Sequence, residues 1–90
     1  MKLSSRARYA LRFMLEIAKH SDGITPVSLS LAAKTGGMPR RYLEQLAIGL
    51  KSAGLVRGVS GKVGGYHLTR PPAEIRIGDI VQAAIGPVSG

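Results

Sequence analysis

Arg40 and Arg41 stand side by side just after Gly36-Gly37-Met38-Pro39, with Glu44 and Gln45 one helical turn further on. In the first turn of a helix, a guanidinium can bond guanine O6 and N7 bidentately, and a glutamine amide can bond adenine N6 and N7. Glu44 can accept from cytosine N4, or repel phosphate and so act against wrong sequences. Tyr42 stands between them. Its ring can pack into a groove between helices with the hydroxyl toward phosphate. The competing reading of Arg40 is phosphate contact or plain solvation. Arg40, Arg41, Tyr42, Glu44 and Gln45 form the candidate base-reading set.

Nothing comparable points to bond-making chemistry, and no catalytic residue is assigned. The carboxylates Glu16, Asp22, Glu44, Glu74 and Asp79 are scattered, with no close pair for acid–base work. His20 falls at a helix end and His67 in a strand, and no ligands gather around either to hold a metal. No serine stands in a nucleophile-elbow pattern. The absence of cysteine excludes disulfides and thiolate metal or cluster sites from these residues. Gly61-Lys62-Val63-Gly64-Gly65 has neither the spacing nor the Ser or Thr of a phosphate-cradling loop, and no helix follows it.

Composition agrees. At 90 residues the chain fits one domain. It carries 13 Lys+Arg against 5 Asp+Glu, a formal charge of +8 and a pI near 10.7, which points to a polyanion, nucleic acid before anionic membrane. Only 4% of residues are aromatic, too few for the stacking platforms of single-strand binders. No apolar run is long enough to cross a membrane, and Met1–Arg6 is followed by no signal-peptide pattern, so the expected location is cytoplasmic, with no membrane partner.

The elements that must position the arginines follow from periodicity. Ser4 or Ser5 caps a first helix running to about Lys19, with Tyr9, Ala10, Phe13, Met14, Ile17 and Ala18 inward and Arg8, Arg12, Glu16 and Lys19 outward. Ile24–Val27 is an extended link. Ser28 caps a short helix, Leu29 to Thr35, whose apolar side is Leu29, Leu31, Ala32 and Ala33. One glycine of Gly36-Gly37 stops it in a left-handed conformation. A third helix runs from Pro39 to about Ala53 on a Leu43, Leu46, Ala47, Leu50 stripe, with Gly54 as its stop. Gly49 inside it should cost about 1 kcal/mol relative to Ala.

Period two then takes over. Leu55–Val59 and Tyr66–Leu68 read as strands about a glycine-rich turn. Ile77–Ile85 is a last helix with Ile77, Ile80, Val81, Ala84 and Ile85 inward, ended by Gly86-Pro87. The class is mainly α with a small β-hairpin: a winged helix-turn-helix, whose second helix enters the major groove. Ser60, Gly61 and Lys62 lie at the wing. Lys2, Ser4, Arg6, Arg8, Ser28, Lys51 and Arg57 are the candidate phosphate contacts. Lys19, Arg70 and Arg76 are read as solvated.

The chain resembles the Rrf2 family of bacterial winged-helix transcription regulators. Met1–Ser4 with Arg8–Ala10, Tyr42–Leu46, Ala53–Val56, Gly64–Leu68 with Arg70–Pro72, and Ile77–Val81 with Ala84 carry the resemblance in the family's order. It implies a homodimeric DNA-binding regulator, often a repressor, reading a near-palindromic operator. By position the family's base readers fall on Arg41, Tyr42, Glu44 and Gln45, and its minor-groove wing on Ser60, Gly61 and Lys62. Two positions depart from the pattern: many members carry Arg where Ser60 stands, and usually a basic residue where Gly49 stands.

The family continues into a dimerisation helix, and its cluster-binding members place three cysteines ahead of that helix. Residues 1–86 are therefore expected to be the DNA-binding domain and 87–90 the start of a segment leading to a dimerisation or sensor region. These residues should hold no cofactor. An iron–sulfur cluster belongs only to a longer parent, which is expected to be a homodimer, and the fragment alone should be a monomer or weak dimer. The competing classes are a winged helix that docks protein and one that binds RNA. Protein docking would not need this charge, and RNA binding would favour aromatics at the wing.

Overall fold

The computed structural model describes residues 4–85. Lys2, Gly86-Pro87 and the 87–90 segment lie outside them. Four helices and one hairpin follow in the order α1 (Ser5–His20), α2 (Leu29–Gly36), α3 (Arg40–Ser52), β1 (Val56–Val59), β2 (Gly65–Leu68) and α4 (Ile77–Ile85), with a single 3-10 turn at Pro72–Glu74. Among the described residues no helix is long and apolar enough to cross a membrane.

Local chemistry sets the ends. Ser4 Oγ accepts from the Ala7 amide, and Ser28 Oγ from the Leu31 amide, so both serines cap helices. Gly37 turns the chain after α2 at φ +67°, a conformation that suits glycine, and the Met38 amide reaches back to the Ala33 carbonyl. α3 ends in the same way, with the Leu55 amide donating to the Leu50 carbonyl across Gly54.

α1 runs through the centre and packs on α2, α3, α4 and β2. Phe13, Ile17, Leu43, Leu46, Leu50 and Leu55 are fully buried between them. β1 and β2 pair antiparallel, with Val56 opposite Leu68, Arg57 opposite His67 and Gly58 opposite Tyr66. The expected link at Val27 is a third edge of this sheet: Val27 and Tyr66 exchange both backbone hydrogen bonds at 2.9 Å. Gly65 makes that approach possible, because a Cβ there would strike the Val27 carbonyl.

The structure corrects the sequence reading in three places. Glu16, expected on the solvated face of α1, is only 3% exposed. Ile77 and Ile85, expected inward, are 66% and 58% exposed, because α4 buries the narrower stripe of Ile80 and Ala84. Leu31, assigned to the apolar side of α2, is exposed. Gly49, costly as a helix residue, has a packing reason: a Cβ there would lie 2.8 Å from the Ala83 carbonyl, so its absence lets α3 and α4 cross closely.

Candidate nucleic-acid interface

α3 presents its first turn without a side-chain cap and without an acidic residue. The unpaired amides and the positive end of the helix dipole are therefore left to whatever anion approaches. Arg40 and Arg41 sit in that turn, both exposed. Arg40 Nε lies 3.8 Å from Glu44 Oε2, an exposed pair of little energetic weight that orients both side chains.

A groove of about 450 Å³ opens between the start of α2, one flank of α3 and the hairpin. Ser28, Arg40, Lys51, Ser60, Gly61 and Lys62 all line it. Residues widely separated in sequence thus converge on one concave surface whose charged lining is entirely cationic. The hairpin turn is closed by the Gly64 amide on the Gly61 carbonyl, with Gly61 at φ +109°. Ser60, Gly61, Lys62 and Val63 project there, all exposed.

The candidate residues do not form one patch. Gln45 lies on the other flank of α3, in a second groove toward α4 with Ile48, Ser52 and Gln82. At 100° per residue, Arg41, Gln45 and Ile48 share the outermost face of α3 while Arg40 and Lys51 lean toward the wing. Tyr42 is half-buried, its ring edge-on to Tyr9 at 4.9 Å, so its ring joins α3 to α1 rather than projecting outward.

Arg6 Nε donates to the Ala84 carbonyl at 2.7 Å, which ties the start of α1 to the end of α4. Arg8 is exposed, its guanidinium 3.4 Å from Ser5 Oγ. Arg57 falls on the hairpin face opposite the α3 groove. Gly58, its neighbour, faces Lys51, and strand alternation turns Arg57 the other way.

Sequence reasoning missed the group that sets the angle of α2. Glu16 Oε1 accepts from Thr35 Oγ1 at 2.6 Å and lies 3.4 Å from His20 Nε2, while Lys19 and Arg12 stand 3.6 and 3.8 Å from Oε2. The Thr35 hydroxyl, helped by Lys19 and His20, holds this carboxyl below the usual glutamate range against the opposing effect of burial. A Cβ at Gly36 would stand 2.7 Å from Met38 Cε and 3.1 Å from Glu16 Cγ, so the first glycine of the pair eases the packing of both side chains. Two glycines where one suffices for the cap were the available signal.

Comparison with known proteins bears on the fold and the family. Residues 3–89 match the Rrf2 family, described as "Iron-dependent Transcriptional regulator". The chain is similar to the HTH-type transcriptional regulator CymR of Bacillus subtilis, 44% identical over 99% of this chain and 64% of that relative. It is also similar to the HTH-type transcriptional regulator IscR of Aliivibrio salmonicida, 43% identical over 92% of this chain and 47% of that relative. The solved structure of CymR, the global cysteine regulator of B. subtilis, superposes with a TM-score of 0.87 at 42% identity, covering 100% of this chain and 69% of that one. The chain thus spans about half to two-thirds the length of these curated relatives. The iron in the family description finds no ligand set here: the chain has no cysteine, and among the described residues no three His, Asp or Glu side chains converge.

Proposed function

Because this chain belongs to the Rrf2 family of transcriptional regulators, we propose that it reads double-stranded DNA with α3 in the major groove and the wing at the minor groove. One observation carries the reading: the uncapped, acid-free start of α3 with Arg40 and Arg41 opens beside a groove that adds Lys51 and Lys62. Phosphates neutralised by Lys51, Lys62 and the start of α2 would fix the register, and Arg41 and Gln45 on the outermost face would read base edges. Glu44 restrains Arg40 and penalises a misplaced phosphate.

Occupancy of a promoter by such a domain excludes other proteins from the same DNA, which makes repression the simplest outcome. The site of action is the bacterial cytoplasm. In a parent protein extending beyond these residues, two copies would read the two halves of a palindrome.

Selection of duplexes from a random pool tests the reading. The wild-type chain should enrich a short motif. Arg41→Ala should lose about 1–3 kcal/mol on that motif, a 5- to 150-fold weakening, and relax preference at one position. Enrichment of no motif, or enrichment indifferent to Arg41, would contradict base reading by this helix.

A further inference from the structure

The outer face of the hairpin carries a second basic surface that the α3 groove does not use. Arg57 and His67 are directly opposite each other in the ladder. With Arg70, which also borders the α3–α4 groove beside Asp79, they line a groove of about 480 Å³ on the far side of the sheet, bounded by the end of α1. No carboxylate lines it. The nearest in sequence, Asp22, has Oδ1 engaged by the amides of Ile24 and Thr25 at 2.8 and 2.6 Å. Asp22 keeps its charge at the rim, but among the described residues neither Arg57 nor Arg70 forms an ion pair, so both guanidiniums stay open to an arriving anion.

We propose that this outer face is a second DNA-backbone contact, in which Arg57, with His67 beside it, grips the phosphates flanking the minor groove that the wing enters. The proposal rests on the DNA-reading function above. Its geometry follows from strand dimensions. Arg57 stands four residues before Gly61, two of them beyond the end of β1, so it lies at most about 13 Å from the wing tip. The minor groove is about 7.5 Å deep. With the tip at the floor of the groove, its phosphate rim lies at most about 6 Å short of the Arg57 backbone, a span that an extended arginine side chain covers. His67 stands at the same level across the ladder, and its ring offers an N–H donor even when neutral. Arg70, beyond the end of β2, extends the basic surface away from the tip. Continuity with the wing favours DNA here over an acidic protein surface, because both strands that carry the face also carry the tip.

The test uses this chain on a duplex bearing its own selected motif, with binding measured across a salt series and by hydroxyl-radical footprinting. Arg57→Ser should flatten the slope of log K against log salt by about 0.9, the amount of one phosphate contact. It should also uncover the backbone flanking the minor groove, while protection of the major-groove segment persists. Arg57→Lys should restore the slope, and an unchanged thermal midpoint would show that the hairpin is intact. Lys51→Ala should flatten the slope through the other groove and leave the flanking protection in place. If Arg57→Ser changes neither slope nor footprint while Lys51→Ala does, the second contact is overturned, the DNA-reading function stands, and an acidic protein becomes the fitting occupant. If the wild-type chain binds no duplex at low salt, both readings fall together.

Discussion

At the joint between α1 and α2, one buried carboxylate is surrounded: Glu16 meets Thr35, His20, Lys19 and Arg12 within 4 Å. At the groove between α3 and the wing, Arg40, Lys51 and Lys62 line one surface with no acid in the lining, and Arg40 alone has a carboxylate near it, the exposed Glu44. Both regions are rich in charge. In the first, the charges answer one another, and the Glu16–Thr35 bond ties α1 to α2. In the second, among the described residues Lys51 and Lys62 form no ion pair, and Arg40 has only the exposed Glu44. Under the proposed function, the difference separates residues that build the reading head from those proposed to touch DNA.

Substitutions at the two regions should therefore fail differently, and the largest effect is expected at the joint. Glu16→Ala removes a buried carboxylate and its charge-assisted bond from Thr35, whose hydroxyl keeps the Leu31 carbonyl, and should destabilise the domain by about 1–3 kcal/mol. In a chain of this size that lowers the thermal midpoint by roughly 4–8 °C per kcal/mol, readable by calorimetry. A wild-type midpoint would erase the contrast.

A smaller effect concerns acid. The Glu16 carboxyl is held below its ordinary value, chiefly by the Thr35 hydroxyl. Its contribution is then complete above the ordinary glutamate range of about pH 4–5 and drains away as pH falls through the lower folded-state value. Glu16→Gln should remove that part of the acid limb, so the variant's stability should fall less steeply below pH 4.5 than the wild type's. Parallel limbs in urea titrations at successive pH values would count against the assignment.

The smallest effect on stability is expected on the reading side. Lys51→Ala removes an exposed cation, and should leave stability within about 0.5 kcal/mol of wild type while weakening DNA binding several-fold at low salt. A Lys51 variant that unfolds the domain, or binds DNA unchanged, would blur the two regions into one.

How much was readable beforehand follows the same division. α1, α3 and the hairpin were legible because apolar spacing and cap residues act locally: Ser4, Ser28, Gly37 and Gly54 each mark an end through the chemistry of a few neighbours. Arg40, Lys51 and the wing were each named as DNA-contact candidates from the helix-turn-helix order, in three separate roles, and only the fold shows that they line one groove. Contacts between distant segments were not. Glu16 is covered by Thr35, nineteen residues on, and Val27 pairs with Tyr66 across most of the domain. Helical periodicity places Glu16 on the flank of α1, and only the approach of α2 buries it. Arg57 and Lys51 both read as phosphate contacts from composition, yet strand alternation sends them to opposite faces of the wing. Gly36, Gly49 and Gly65 look like punctuation in the sequence. In the fold Gly49 and Gly65 mark places where a neighbouring backbone comes too close for a Cβ, and Gly36 faces the Met38 and Glu16 side chains.

The most direct measurement is fluorescence anisotropy of this chain on a duplex of about 25 base pairs and on single-stranded RNA, across a salt series. Binding should favour the duplex, with log K falling against log salt at about −0.9 for each phosphate contact and a total slope of several contacts. A flat salt response, a preference for RNA, or no duplex binding at low salt would contradict the proposal that the cations of the wing and α3 bind DNA.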